Sequence, residues 1–139
     1  MVLGKMQPLL AAFFQPSSNR ESEMEKTFVT WQEVEKFVKE LKDNFKETKF
    51  TGVYGIPRGG CVLAVLISHY LDIPFLAAPF EGCLVVDDIS DSGITLQHYQ
   101  ECGYKIATMF YHKDTRVVPD FCVAEKSDSW IVFPWEMEK

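Results

Sequence analysis

The sequence predicts an α/β fold, a mostly parallel sheet flanked by helices, and three observations support this prediction. Strand-like and helix-like segments alternate through residues 50–111, which is typical of parallel strands joined by crossover helices. The strand candidates are short continuous apolar runs, as expected for strands buried on both faces. Polar, glycine-containing loops follow two of them, at 56–60 and 87–95. Because the carboxyl ends of parallel strands meet at one edge, we expect both loops at that edge.

The first helix is predicted over about residues 31–45. Thr30 and Glu33 form a capping box, in which a hydroxyl and a carboxylate three residues later satisfy free backbone donors. Apolar residues then recur at intervals of three and four, which predicts one buried helix face. These residues are Trp31, Val34, Phe37, Val38, Leu41 and Phe45.

Turn residues separate the later elements. Asp72 and Pro74 are predicted to end one helix, and Gly103 to end another as a left-handed residue. The predicted bounds are 50–55, 75–78, 83–86, 105–111 and 121–125 for strands, and 61–71 and 94–102 for helices. An aromatic-rich tail, 130–135, follows the last strand.

Composition limits the possible partners. With 139 residues, of which 47% are apolar, the chain can bury a core of one domain. Its net charge of −6 argues against binding nucleic acid through a basic face. A phosphorylated ligand stays open, because backbone amides, hydroxyls and a bound metal ion can hold phosphate. No apolar run approaches the about 18–20 residues of a membrane span, so no membrane partner is predicted.

Cysteine and histidine spacing indicates neither a disulfide framework nor a metal site. The cysteines are far apart and form no C-x-x-C pair, so we expect them to be reduced and mostly buried. They are Cys61, Cys83, Cys102 and Cys122, and the histidines are His69, His98 and His112.

The N-terminal part is predicted to be a flexible extension over residues 1–26. Residues 15–26 are polar and rich in Ser and Glu, and the apolar patch at 9–14 has no clear cleavage site after it. Residues 27–139 are therefore predicted to form the folded domain, and we expect the protein in the cytoplasm.

The segment after the apolar run 83–86 carries the strongest functional signal. Asp87 and Asp88 suit sugar hydroxyls or Mg²⁺, which prefers oxygen ligands. Small and hydroxylated residues then lead into a predicted helix, whose first N–H groups attract phosphate; they are Ser90, Ser92, Gly93 and Thr95. The alternative interpretation is solvated acids at a strand end, but the third acid, Asp91, and the turn favour a site for a ribose between phosphates.

The loop 56–60 places one cation, Arg58, among glycines. A guanidinium can hold a diphosphate through two hydrogen bonds, and Gly59 allows the backbone to approach it. Alone, this loop is equally consistent with an ordinary turn in which Arg58 is solvated.

Together these segments resemble a known family. Residues 85–95, VVDDISDSGIT, look like the phosphoribosyl diphosphate (PRPP) motif of type I phosphoribosyltransferases, and residues 54–60, YGIPRGG, resemble their diphosphate loop. The tail WIVFPW at 130–135 is similar to that of xanthine–guanine and hypoxanthine phosphoribosyltransferases. The resemblance covers about residues 30–139 and implies a parallel sheet with a small hood, built partly from the C-terminus.

The resemblance also implies an activity. Enzymes of this family transfer ribose 5-phosphate from PRPP to a nucleobase nitrogen and release diphosphate, with Mg²⁺ as cofactor. Lys113 and the aromatic tail favour an oxo-purine base, namely hypoxanthine, guanine or xanthine. The resemblance also implies an oligomeric state, a homodimer or a higher homo-oligomer, because members of the family commonly form such assemblies.

The residue roles are implied in the same way. Asp87 and Asp88 would contact the ribose hydroxyls, Asp88 would also hold the metal, and these two with Asp91, near the incoming base, form the predicted catalytic set. Arg58 and Gly59 would meet the diphosphate, in a loop where the family often has a cis non-proline peptide. The 5′-phosphate would be wrapped by Ser90, Ser92, Gly93, Ile94 and Thr95.

The base would meet three residues. Lys113 would bind its exocyclic oxygen, Trp130 would stack on its ring, and Ile131 would offer backbone atoms. The alternatives are that Lys113 is paired with Asp114 at the surface, and that Trp130 only packs within the hood.

The chain departs from the family pattern in two places. Ile94 replaces a common glycine, and only residues 77–82 join two strands where the family usually has a longer flexible loop. A short loop leaves little to exclude water from a reactive sugar cation. A non-catalytic PRPP- or nucleotide-binding regulatory protein on the same fold is therefore the alternative hypothesis.

Overall fold

The computed structural model describes residues 25–136 of the chain, in two units. The larger unit is formed by residues 31–127, and the smaller by 25–30 with 128–136. Nearly all of the predicted extension 1–26 lies outside the described residues, so the division at 26/27 stays a prediction. No helix of residues 25–136 has both the length and the apolar character needed to cross a membrane.

The larger unit contains a sheet of five parallel strands, which confirms the predicted fold class. In chain order the elements are α1 Trp31–Asn44, β2 Val53–Gly55, α2 Gly59–Leu71, β3 Phe75–Leu76, β4 Leu84–Ser90, α3 Ile94–Glu101, β5 Lys105–Tyr111 and β6 Ala124–Glu125, with β1 Lys26–Phe28 and β7 Trp130–Val132 in the smaller unit. Along the five-stranded sheet the strand order is β3-β2-β4-β5-β6.

The two crossover connections that start from the neighbouring strands β2 and β4 run in opposite directions along the sheet. From β2 the chain crosses to β3 on one side through α2, and from β4 it crosses to β5 on the other side through α3. Right-handed crossovers in opposite directions place their helices on opposite faces of the sheet. The loops that leave β2 and β4 therefore diverge, and such a reversal point is where open α/β sheets form a ligand crevice.

The core of the larger unit is formed by the apolar residues of the central strands and of the helices that cover them. On one face Leu96 of α3 packs with Val85 and Ile106 of the two central strands. Helix α1 packs on α2, and its Phe37, with Phe45 just beyond its end, also contacts the ring of Phe121. The predicted stop of α3 is confirmed, because Gly103 has φ +89° and donates its N–H to Gln100 O.

The smaller unit pairs β1 with β7 in parallel. Val29 N donates to Val132 O, Trp130 N donates to Glu25 O, and the rings of Phe133 and Trp135 stack with centroids 4.9 Å apart. The aromatic tail therefore forms a small two-stranded sheet with β1. Its partner strand β1 was not indicated by any pattern in the sequence.

Two expectations need correction. Strand β4 continues to Ser90 rather than ending at Val86, because β5 keeps pairing with it as far as the register Ser90↔Tyr111. The four cysteines are unpaired as expected, but they are not mostly buried: only Cys83 is buried, and Cys102 is exposed.

Candidate active site

The acidic pair lies at the end of the central strand, beside the reversal point. Strand β2 pairs with β4 only as far as Gly55↔Val86, and Ile56 N makes a last bond to Val86 O. Beyond that point β4 is paired on one side only, by β5. Asp87 and Asp88 thus lie in the strand at the crevice, where Asp87 and Ile89 still pair with β5.

Both carboxylates are half-buried, and they are adjacent in the strand. Asp87 Oδ1 accepts a hydrogen bond from Asp88 N (2.9 Å), and Asp88 Oδ1 accepts one from Ile89 N (2.8 Å). Burial raises the pKa of Asp87 well above its usual value, and the neighbouring charge of Asp88 raises it further. Burial also raises the pKa of Asp88. A cation or hydroxyl donors at this point would stabilise the charged pair.

The loop after β2 lies directly against this pair. The peptide bond between Pro57 and Arg58 is cis, as the resemblance implies. A Cβ atom added at Gly59 would lie 2.6 Å from Asp88 Cγ, and one added at Gly60 would lie 3.0 Å from Asp87 Cα. Only glycine allows this approach, so the two loops predicted to share an edge are in contact.

The exposed side chains of the second loop differ from its buried ones. Asp91, Ser92, Ile94 and Thr95 are exposed at the start of α3. Ser92 Oγ accepts a hydrogen bond from Ile94 N (3.3 Å), and the first turn of a helix leaves backbone N–H groups without helical partners. These groups can contact an anion at the crevice.

Ser90, in contrast, supports the loop from inside. It is fully buried, and its hydroxyl donates to Val117 O (2.7 Å) and lies 2.7 Å from Thr115 Oγ1. The hydroxyl is therefore used within the protein.

Residues 115–117 form a backing segment for this loop that sequence reasoning missed. Arg116 N donates to Ser92 O (2.9 Å), and Gly93 has φ +82°. A Cβ atom at Gly93 would lie 2.8 Å from the backbone nitrogens of both Arg116 and Val117. The segment has no motif of its own. The only sequence feature that could have indicated its burial is the apolar Val117 after a polar turn.

Lys126 is a second residue that sequence reasoning missed. It follows β6, and its Nζ lies 3.9 Å from Asp91 Oδ1. Lys113, predicted to bind the base, is exposed in the turn after β5, and Asp114 is close to His112 rather than to this lysine. Asp114 N donates to His112 Nδ1 (3.1 Å).

The remaining predicted site residues lie in the smaller unit and at the N-terminus of α2. Trp130 is half-buried and Ile131 is buried, and both lie on β7. Arg58 is exposed at the start of α2, where it is the N-cap residue.

A magnesium ion fits the chemistry of the acidic pair. Mg²⁺ commonly binds to one or two carboxylates and takes its other ligands from substrate phosphates and water. Within residues 25–136 no three His, Cys, Asp or Glu side chains form a group that could hold a metal ion. The pair therefore suits an ion delivered with a phosphorylated substrate rather than one enclosed by protein.

Comparison with known proteins now identifies the class. No family model matches the chain. A solved purine phosphoribosyltransferase from Pyrococcus horikoshii is 34% identical, with a TM-score of 0.72, over 84% of this chain and 97% of that one. The xanthine-guanine phosphoribosyltransferase of Idiomarina loihiensis is 28% identical over 86% of this chain and 89% of its own length. A Helicobacter pylori xanthine-guanine-hypoxanthine enzyme shares the fold, at 18% identity and a TM-score of 0.63, over 80% of this chain and 94% of that one.

The fold and these similarities identify the protein as a phosphoribosyltransferase. This chain belongs to the type I phosphoribosyltransferase family.

Replacing Asp87 with Asn should stabilise the ligand-free protein at neutral pH. The unfolded chain releases the Asp87 proton at about pH 3.9, whereas the folded protein holds it to higher pH because burial raises the pKa. The free energy of unfolding of the wild type therefore falls as pH rises through this interval. The asparagine side chain keeps an Oδ1 acceptor for Asp88 N but carries no charge.

Thermal unfolding of both proteins from about pH 4 to pH 8 measures this effect. The variant should unfold at the higher temperature at neutral pH, and the difference should shrink as the pH is lowered. A variant that is less stable than the wild type at neutral pH would contradict the argument.

The Gly93→Ala change should cost more than Gly103→Ala, which serves as its matched control. Both glycines have positive φ, so alanine is strained by about 1–2 kcal/mol at either place. At Gly103 nothing lies within 4 Å of an added Cβ, whereas at Gly93 it meets the 115–117 backbone, which adds about 1–3 kcal/mol. Urea unfolding compares the two losses, and equal losses would show that the 115–117 segment does not confine the loop.

Proposed function

We propose that this phosphoribosyltransferase transfers ribose 5-phosphate from PRPP to an oxo-purine base, with Mg²⁺ bound together with PRPP. The single observation that carries the proposal is the contact between the two loops: Gly59 lies against the carboxylate of Asp88 at the reversal point of the sheet. In this proposal one crevice is surrounded by Asp87 and Asp88, which would bind the sugar, by the loop 56–60, which would bind the diphosphate, and by the N-terminus of α3. The names of the relatives from Pyrococcus horikoshii and Idiomarina loihiensis support a purine as the acceptor.

In the proposed binding mode Asp87 and Asp88 face the ribose. Their raised pKa values indicate that the charged pair is unstable alone, so hydroxyl donors and a cation gain free energy by binding there. Asp88, whose carboxylate lies against Gly59, would hold Mg²⁺ bound together with the substrate. Mg²⁺, when bound, would offset the negative charge on the leaving diphosphate.

The loop after β2 would bind the diphosphate, and the loop after β4 would bind the 5′-phosphate. Arg58 is exposed at the head of α2, where its side chain can contact a diphosphate beside Gly59. Ser92, Ile94 and Thr95 are exposed at the head of α3 and would contact the 5′-phosphate with hydroxyls and backbone N–H groups. Gly93 permits the left-handed turn between them, and Ser90 is assigned a supporting role because its hydroxyl is bonded inside the protein.

The transfer itself needs electrostatic help rather than a protein nucleophile. As the bond from the sugar carbon to the diphosphate breaks, positive charge develops on the ribose, and nearby carboxylates stabilise it. The base nitrogen forms the new bond, and the exposed carboxylate of Asp91 would accept the base's proton. Trp130 would stack on the purine, and Ile131 would contact it through backbone atoms. We place this activity in the cytoplasm, in a homodimer or higher homo-oligomer.

The alternative, a regulatory protein that binds PRPP or a nucleotide without turnover, is favoured by one observation. Strand β3 ends at Leu76 and β4 begins at Leu84, so the segment between them is too short for a large closing loop. Isothermal titration with PRPP and Mg²⁺, combined with a turnover assay across nucleobases, separates the two hypotheses. Binding without turnover of any base would favour the regulatory one.

Asp88→Asn should weaken the binding of PRPP with Mg²⁺ by about tenfold to a hundredfold. This range corresponds to the loss of charge-assisted contacts worth about 1.5–3 kcal/mol. Asp43→Asn, an exposed acid at the end of α1, is the matched control and should leave the dissociation constant unchanged. Titration calorimetry measures both, and unchanged affinity in Asp88→Asn would contradict the placement of the ribose and the metal.

Trp130→Ala should raise the KM for the base by about tenfold, with little change in the KM for PRPP. Stacking of a base on an aromatic side chain is worth about 1–3 kcal/mol. Steady-state kinetics with each substrate varied in turn measures the two constants, and Trp130→Phe should restore most of the base affinity. Equal effects on both substrates would instead indicate that Trp130 only packs within the smaller unit.

A further inference from the structure

The loop after β4 is fastened to the turn that follows β5. Two of the bonds join backbone atoms: His112 N donates to Ser90 O (2.9 Å), and Arg116 N donates to Ser92 O (2.9 Å). A third joins the Ser90 hydroxyl to Val117 O (2.7 Å). The loop is therefore held at three points, so the position of the turn determines the position of the loop.

Thr115 adds a side-chain link between the turn and the loop. Its Oγ1 lies 2.7 Å from Ser90 Oγ, which in turn lies 2.7 Å from Val117 O. Each hydroxyl has one proton, and both short contacts contain a proton only when Thr115 donates to Ser90 and Ser90 donates to Val117 O. The other order, in which Thr115 donates to Val117 O, uses a longer contact of 3.2 Å. Val117 N donates to Thr115 Oγ1 (3.2 Å) and completes a closed set of polar contacts.

The same hydroxyl lies against the left-handed residue of the loop. Gly93 has φ +82°, and a Cβ atom added there would lie 2.5 Å from Thr115 Oγ1. Gly93 is also the N-cap residue of α3, and Gln97 N donates to Gly93 O in the first turn of that helix. Thr115 therefore lies next to both Ser90, at the start of the loop, and the residue from which the helix begins.

This placement matters because a phosphate is bound by several donors at once. The N–H groups in the first turn of α3 and the hydroxyls of Ser92 and Thr95 can converge on one anion only when the loop has a fixed conformation. Donors that are already in position bind an anion more tightly, because no free energy is spent on ordering them. A loop that is fixed from the protein side by a pair of hydroxyls meets this condition.

We propose that Thr115 is a positioning residue for phosphate binding: its hydroxyl, bonded to Ser90 and packed against Gly93, holds the N-terminus of α3 in the conformation that binds a sugar phosphate. The proposal rests on the proposed function, because it takes this loop as the site of the 5′-phosphate. Thr115 acts through Ser90 and Gly93 rather than by contacting the ligand. Removing its hydroxyl should loosen the loop without unfolding the protein, because the two backbone bonds and the bond from Ser90 to Val117 remain.

The test compares Thr115→Val with Thr115→Ser in the full chain. Valine keeps the branched shape of threonine and removes the hydroxyl, whereas serine keeps the hydroxyl. Titration calorimetry with ribose 5-phosphate should give a dissociation constant about threefold to tenfold higher for Thr115→Val, the range expected when one neutral hydrogen bond is lost. Thr115→Ser should stay within about twofold of the wild type, because its hydroxyl can make the same contact. Binding of inorganic diphosphate with Mg²⁺, which would occupy the loop 56–60, should not change in either variant.

Thr27→Val is the matched control. Thr27 Oγ1 also lies 2.7 Å from a serine hydroxyl, that of Ser129, but this pair belongs to the smaller unit. The control should leave the dissociation constant for ribose 5-phosphate unchanged, even where it lowers the temperature of thermal unfolding. A purely structural role for Thr115 would likewise lower the unfolding temperature and leave the binding of ribose 5-phosphate unchanged, so the dissociation constant separates the two roles.

Each outcome decides the question. Unchanged binding of ribose 5-phosphate by Thr115→Val, or an equal loss for ribose 5-phosphate and diphosphate, would overturn the assignment and leave the proposed function intact. Failure of the wild type to bind ribose 5-phosphate would overturn the placement of the 5′-phosphate in the proposed function, and this inference with it. If Thr115→Val does not fold, as judged by thermal unfolding, Ser90→Ala replaces it, because it removes the acceptor of the Thr115 hydroxyl and keeps the backbone bonds. In that variant a selective loss of ribose 5-phosphate binding supports the assignment, and no loss overturns it.

Discussion

The structure depends on keeping two adjacent carboxylates half-buried at the point where the sheet order reverses. Burial opposes their charge and raises the pKa of each. Each Oδ1 accepts one backbone N–H from the next residue. Keeping the pair charged at neutral pH therefore lowers the stability of the free protein, and such costs are common at functional sites.

This constraint determines what can lie beside the pair. Gly59 and Gly60 approach Asp88 and the β4 backbone so closely that any side chain would displace them. On the other loop, Ser90 and Gly93 are fixed by the 115–117 segment, so the exposed residues of this loop are carried by a buried support rather than by a free turn. Such preorganisation lets a site bind charge without first rearranging.

Much of this could be predicted from the sequence, and the failures have specific causes. The periodicity of α1 and the apolar runs of the central strands predicted the sheet and its crossovers, because hydrophobic pattern is a direct consequence of burial. The end of β4 was misplaced, because an apolar run ends where burial ends, whereas the strand ends where β5 stops pairing with it. Strand β1 was missed because three exposed residues that pair with the chain's far end leave no local pattern. The Lys126–Asp91 pair spans 35 residues of sequence, and only the strand order brings it together.

The ion pair at Asp91 also bears on how a site with a short β3–β4 connection can discriminate. A long closing loop selects its substrate partly by completing the site only when the correct ligand is present. Where the connecting segment is residues 77–83, selection has to come from groups already in place. The ends of β4 and β6 hold two such groups, the Asp91 carboxylate and the Lys126 ammonium group, whose Oδ1 and Nζ atoms lie 3.9 Å apart.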